Sequence, residues 1–511
     1  MEVRLVEPIK DSEGNFEYYR SENEKGVKSW VQEGNEVYRV KEIEERSEKY
    51  SKMMGVLEKD PCKFFIDLGE KIRYYLQESG YKTDSPETLE KELHIMTDFT
   101  DPRPMCGLSI SRGDEREDKE DLFYLALNTE WDSLDDGELE KIFGHEYSHL
   151  LLYLMNYDPS NCYSNKFHDV TAVTDPYTAF SEGFAEHLEL VSYENGLEDY
   201  AEEEFSGLWD IGLDIEAWTS YRSKQLRYHA VKNNRFVYEK IVPDIEDRSD
   251  FVELHLDHLT SSAFLPEKVK NGSQVLASEG SISSIFYHIY SDKFFKNEYM
   301  DDEFYGRFGT SRDEVKPIEN LYLKIFYVIS KIDMVNSPQP MIDFIKIYGE
   351  KFPKEREELY KLFLKLTHYT TVSEEAADRF GEHYLVGRRG NMEKFKESLL
   401  SLREFKEDVN EKVLDGKVEL DEALHPQIWV ENKDYQIPPC PWIPDNTVNY
   451  IFDLNTASLA DMMSLTDMDH DDAKKIMNIR REKGGFKSFD DFLKDCSDEL
   501  KSSIEDVKKI S

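Results

Sequence analysis

The segment His145-Glu146-Tyr147-Ser148-His149 constrains this chain more than any other. It lies in SLDDGELEKIFGHEYSHLLLYLM (133–155), which reads as one helix. Ser133 or Asp135 can cap it, and acidic residues fill its first turn. Leu139, Ile142, Phe143, Leu150 and Leu154 mark its apolar side. Residues four apart on a helix lie about 40° apart around the axis and about 6 Å apart along it, so both imidazoles face one point. Two His and a Glu on the core side of a helix are costly unless something satisfies them. A metal ion would do so, and so would hydrogen bonding as a purely structural pair. With a metal present, Glu146 stands where it can take a proton from a water the metal has acidified.

A catalytic zinc site takes three protein ligands and leaves one position open. A second helix is expected to start at Asp175-Pro176, a capping residue followed by proline at the first helical position. It carries Ser181-Glu182-Gly183-Phe184-Ala185-Glu186-His187. Glu182 and Glu186 share a helix face, flanked by Phe180, Phe184 and Leu188. The bland reading is a solvated acidic face; the apolar flanks weigh against it.

Strand, HExxH helix and E-G-x-A-E helix together resemble the gluzincin metallopeptidases, the clan of thermolysin-like and aminopeptidase-type enzymes. The resemblance covers roughly residues 90–195 and implies a zincin-like core. It makes Glu182 the third ligand to Zn2+ beside His145 and His149. It makes Glu186 the carboxylate that orients a ligating imidazole, and Glu146 the general base for hydrolysis of a peptide bond. It also implies that a strand edge, here Leu122–Asn128, pairs with the substrate backbone. A His or Tyr would steady the oxyanion, with Tyr221, Tyr228, His229, Tyr287 and His288 as candidates. Small residues at Gly183 and Ala185 would let the two motif helices approach. The gap from His149 to Glu182 is longer than the clan's shortest spacing, so 156–174 is an inserted loop. His187 and Glu186 remain rival third ligands. Glu279-Gly280 echoes Glu182-Gly183 without an assigned role.

Lys plus Arg number 64 against 106 Asp plus Glu, a formal charge of −42. That excludes a protein whose whole surface grips nucleic acid or an anionic membrane. It does not imply disorder, because 13% of residues are aromatic and can build cores. The residues after Met1 show neither a basic nor an apolar signal region, and no apolar run approaches the length of a membrane span. Cys62, Cys106, Cys162, Cys440 and Cys496 are odd in number and widely spaced. They fit reduced thiols and a cytoplasmic protein better than a disulfide frame.

Five regions are expected. Residues 1–90 form a mixed region with a hairpin within 15–40 and a helix over 63–80. Residues 91–199 form the catalytic core, with strands at 93–100, 106–111 and 122–128. Residues 200–436 are mainly helical, with helices at 274–290, 320–332 and 340–349. A stiff Pro-rich linker spans 437–451. Residues 452–511 form a last unit. The class is α+β, with a small sheet and two motif helices, a large helical region and a small C-terminal appendage.

The stretch DLNTASLADMMSLTDMDHDDAKKIMNIRREKGGFKSFDDFLK (453–494) resembles the helix-hairpin-helix domain of the ComEA competence-protein type. The resemblance rests on the LNTA opening, the helix AKKIMNIRREKGGF and the closing FKSFDDFL. Such domains hold DNA phosphate on backbone N–H groups of a Gly-rich hairpin. Here the hairpin glycines are replaced by Asp467 and Asp469, and Asp471 and Asp472 follow. Carboxylates there repel an anion, so a structural or protein-binding module is expected, with Arg480, Arg481 and Lys483 the residual candidates for DNA contact. Asp467-x-Asp469-x-Asp471 lacks the Gly and Glu that complete a calcium loop.

The expectation is a zinc metallopeptidase acting on a peptide or protein, with no membrane or nucleic-acid partner. Its rivals are a metalloprotease directed to DNA by the appendage, and a non-catalytic scaffold with a structural zinc.

Overall fold

The computed structural model describes residues 1–21, 36–81, 92–99, 102–113, 115–128, 138–155, 164, 168, 170–195, 228–240, 264–334, 336–437, 448–464, 469–496, 501 and 508–509. Its contacts group into two compact units. One comprises Met1–Asn161, Ala185–Trp209 and Tyr290–Ser337; the other comprises Cys162–Phe184, Asp210–Ile289 and Pro338–Ser511.

The first unit opens with a small closed sheet. Its strands are β1 (Glu2–Pro8), β2 (Tyr18–Arg20), β3 (Glu36–Glu42), β4 (Glu92–Met96), β5 (Arg103–Arg112) and β6 (Glu115–Ala126). They run in the order β1-β4-β6-β5-β3-β2, and β1 also pairs with β3, which closes the ring. The expected hairpin is the antiparallel pair β2–β3, and the three expected strands are β4, β5 and β6. Alternation along the strands buries Val6, Val40, Met105, Leu108, Ile110, Leu122 and Tyr124 in one cluster.

Closure corrects one expectation. Leu125 and Ala126 pair with Ile95 and Met96 of β4 on one side and with Pro104 and Arg103 of β5 on the other. Both edges of β6 are taken up there, so those positions of the stretch Leu122–Asn128 offer a substrate no free edge.

Helices α1 (Glu48–Leu57) and α2 (Cys62–Glu78) follow β3. Gly80 lies just past α2 at φ 64°, the left-handed conformation that ends a helix. Helix α3 (Glu138–Leu154) packs on β5 and β6, with Tyr153 stacked on Phe123. Helix α2 presses on it closely: a Cβ at Gly69 would stand 2.0 Å from the Tyr147 hydroxyl oxygen. The expected caps of α3, Ser133 and Asp135, lie outside the described residues.

Helix α4 spans Pro176–Glu194 and begins where the sequence places it. Asp175 Oδ1 accepts hydrogen bonds from the backbone N–H groups of Tyr177 and Thr178. Burial raises the Asp175 carboxyl to about 6.

The large helical region is present, with helices Pro317–Ile329 and Pro340–Lys351 at two of the expected segments. The segment 274–290, expected as one helix, is two: Gly272–Leu276 and Glu279–Ser291. The break at Ala277-Ser278 is held by main-chain pairing to another segment, Thr174 N–H to Ala277 O at 2.8 Å.

In the C-terminal part, strands Trp429–Ile437 and Val448–Asp453 pair antiparallel. Helices Leu459–Ser464, His470–Lys483 and Phe489–Asp495 follow. Ile428, Val430, Phe452, Leu454, Ile476, Phe486 and Phe492 share one core. The LNTA opening is tied to the GGF turn through Asn455, whose side chain accepts from Phe486 N–H and donates to Phe486 O, each at 2.8 Å. The Pro-rich linker lies outside the described residues from 438 to 447.

No helix among the described residues is long and apolar enough to cross a membrane. Cys62, Cys106 and Cys496 are buried, and none of them is in a disulfide.

Candidate metal centre

His145 and His149 occupy successive turns of α3, as their spacing requires. Their rings stand edge to face, centroids 5.0 Å apart. Ligand atoms of His145, His149 and Glu182 all lie within 4.8 Å of one another. His149 is buried; His145 and Glu182 are partly so. Two imidazole nitrogens and a carboxylate oxygen make a donor set that fits a catalytic zinc. The cluster is therefore geometrically compatible with such a site and with metal-dependent catalysis. Glu146, between the two imidazoles in sequence, is half-buried on α3.

A second grouping shares His145: its ligand atoms lie within 4.8 Å of those of Glu186 and Glu189. Both carboxylates are buried. His145 Nδ1 lies 2.9 Å from Glu189 Oε1. Glu189 was not singled out in the sequence, though a signal exists: it is seven residues after Glu182, two turns along the same helix face.

His187, a rival ligand, belongs to neither grouping. It is fully buried, its ring stacked on Tyr322 and its Nε2 hydrogen-bonded to the Tyr322 hydroxyl at 3.1 Å.

The small residue Gly183 serves a different neighbour from the one expected. A Cβ on it would stand 2.6 Å from the Glu279 carbonyl oxygen and 2.7 Å from Ile282 Cβ. It admits the helix Glu279–Ser291. The two E-G pairs are thus packed together, and Glu279 is 1% exposed. Between their carboxylates stands His168, with Nδ1 3.6 Å from Glu279 and 3.9 Å from Glu182. No local pattern marks His168, because it lies in the loop between the motif helices.

Of the expected oxyanion candidates, Tyr221 lies outside the described residues. His288 Nδ1 is 2.7 Å from its own helix's Ser284 carbonyl, and burial lowers its pKa. The Tyr228 ring carries Lys232 Nζ 4.1 Å from its centroid. His229 and Tyr287 carry no assigned role at the site.

The three basic residues singled out in the C-terminal unit are each engaged within the chain, Arg480 alone being buried. Arg480 is 4% exposed and donates to the carbonyls of Leu454 and Ala457 at 2.9 and 2.7 Å. Arg481 pairs with Glu239 at 3.1 Å. Lys483 bridges Asp491 and Asp495. At the hairpin's end, Asp469 caps the following helix, accepting from Asp472 N–H at 2.8 Å. Its carboxylate occupies the helix N-terminus where an anion would dock. Asp467 lies outside the described residues.

Comparison with known proteins touches only this unit. A family model described as the helix-hairpin-helix motif matches residues 449–495. No curated protein and no solved structure matches the chain.

Proposed function

We propose that this chain is a zinc-dependent metallopeptidase of gluzincin kind, with His145, His149 and Glu182 holding the metal and Glu146 as general base. The observation that carries this reading is the convergence of the ligand atoms of His145, His149 and Glu182, all within 4.8 Å of one another. Zinc bound there would supply Lewis-acid polarisation of the scissile carbonyl and acidify a water. Glu146 would take the proton of the attacking water on its carboxylate and deliver it to the leaving amine nitrogen. Glu186, whose carboxylate lies in one grouping with His145, would orient a ligating imidazole. A chain with charge −42 draws neutral or basic peptides more readily than acidic ones. The helix-hairpin-helix unit acts as a structural or protein-binding module, a reading supported by the engagement of Arg480, Arg481 and Lys483 within the chain. The buried cysteines outside any disulfide support a cytoplasmic location.

The test is bound-metal analysis together with peptide hydrolysis by the wild type and Glu146→Gln. One zinc in each protein and turnover in the wild type alone is the expected result. A metal-free wild type, or equal turnover in both, overturns the assignment.

A further inference from the structure

The short helix Gly272–Leu276 is buried along its whole length and closed at its start by two amide side chains. Asn271 Oδ1 accepts from Gln274 N–H at 2.8 Å, and Gln274 Oε1 accepts from Asn271 N–H at 3.1 Å. Both oxygens are thus engaged inside the cap, and both nitrogens reach out of it. Asn271 Nδ2 donates to the Asn455 carbonyl at 3.0 Å, and Gln274 Nε2 to those of Thr456 and Ala457 at 3.1 and 3.4 Å. These acceptors are the last three residues of the LNTA opening, all buried.

The other end of the same helix is tied to the approach to α4. Ala277 O accepts from Thr174 N–H at 2.8 Å, Val173 pairs with Ser278, and Val170 O accepts from Gly280 N–H at 3.0 Å. Asp175 caps α4 directly after Thr174, and Glu182 follows two turns on. A Cβ at Gly272 would stand 2.5 Å from the Thr370 carbonyl oxygen, so the helix has no room to shift on that side. A buried element of about 7.5 Å, held at both ends, moves as one piece. All of these residues belong to the second compact unit.

We infer that the C-terminal unit is a built-in brace for the proposed ligand Glu182, acting through Asn271 and Gln274 as positioning residues. The LNTA carbonyls hold the head of helix Gly272–Leu276, and its tail holds the segment from which α4 starts. The effect on metal rests on the zinc reading above. Linkage makes it reciprocal: if the loop raises zinc affinity, zinc steadies the loop.

Asn271→Asp combined with Gln274→Glu keeps each oxygen that closes the helix and removes each nitrogen that reaches the LNTA carbonyls. Amide hydrogen exchange and chelator competition for zinc are measured on the full-length wild type and on this double variant. In the zinc-free double variant, exchange should rise about tenfold at Thr174 and Gly280, whose N–H groups pair across the joint. Zinc affinity should fall about 5- to 10-fold, and zinc should slow wild-type exchange at 453–457. Ser488→Ala removes the cap of the last helix without touching the bridge, and should change neither exchange at 170–182 nor zinc affinity. Asn271→Asp alone carries the test should the double variant fail to fold. Wild-type zinc affinity in the bridge variants overturns the inference and leaves the zinc reading intact, as does an equal loss in Ser488→Ala. A wild type that binds no zinc removes the zinc reading. Exchange at Thr174 and Gly280 then still decides the brace, and a rise confined to 449–495 overturns it.

Discussion

Gly183 rests on the main-chain carbonyl of Glu279, so close that a Cβ would stand 2.6 Å from that oxygen. The residue before it is the proposed ligand Glu182. Packing and metal binding are therefore coupled at this point of α4. Gly183→Ala must push the helix off its neighbour, at a cost of about 1–3 kcal/mol. Displacing Glu182 with it should weaken zinc retention. Thermal unfolding and bound-zinc analysis of this one variant check both effects. Unchanged stability would show that the contact yields without strain.

The two histidines of greatest interest on α3 and α4 should separate cleanly by mutation. His149→Phe removes a proposed ligand and should abolish stoichiometric zinc. His187→Phe should keep it, since His187 is spent on Tyr322. Its cost is instead the buried hydrogen bond, about 1–2 kcal/mol, because the Tyr322 hydroxyl loses its imidazole partner. Zinc lost from His187→Phe and kept by His149→Phe would reverse the ligand assignment.

What was legible in the sequence was what neighbouring residues decide among themselves. The four-residue spacing of His145 and His149, the Asp175-Pro176 start of α4 and the helix over 63–80 are local, and each is found in place. The closed sheet was harder. Strand β1 is charged and weakly patterned, yet it pairs with β4 in parallel from Glu2↔Glu92 to Val6↔Met96, some ninety residues away. Its charges lie on pairs such as Arg4–Glu92, at 3.1 Å, that only the folded chain brings together. The same holds at the site. Glu182 could be nominated from its motif, whereas His168 and Glu189 depend on which helix faces which. Gly183 was recognised as a place of close approach, but its partner was not, because a glycine shows that something comes near without showing what.

The C-terminal unit allows a contrast between adjacent arginines. Arg480 satisfies two buried carbonyls, so Arg480→Ala should destabilise the unit by about 3 kcal/mol or more, because both are left without a charged donor. Arg481 makes a half-exposed pair with Glu239, and Arg481→Ala should cost less than about 1 kcal/mol. Neither should alter DNA retention by the full chain, which is expected to be absent even at low salt. Chemical denaturation followed at the C-terminal unit and a low-salt DNA column are the measurements. Salt-dependent retention lost in Arg481→Ala would instead favour a DNA-directed metalloprotease.

Asp175 makes the last prediction one of pH. Its carboxyl rises from an ordinary 3.8 to about 6 in the folded chain, chiefly because it is buried, while hydrogen bonds from Thr178, Tyr177 and Ser164 pull the other way. Since the folded state then binds the proton more tightly than the unfolded state, the stabilising contribution is complete below about pH 3.8. It is lost as pH rises through about 6. This runs opposite to the usual carboxylate whose pKa is depressed on folding. Asparagine at this position keeps an acceptor for Tyr177 N–H and Thr178 N–H and carries no charge. Asp175→Asn should therefore gain on the wild type as pH rises, by about 1 kcal/mol between pH 5 and 7.5. Urea unfolding of both proteins across that range measures the difference directly. A constant difference would mean that Asp175 keeps the same pKa folded and unfolded, and that its capping bonds fully offset its burial.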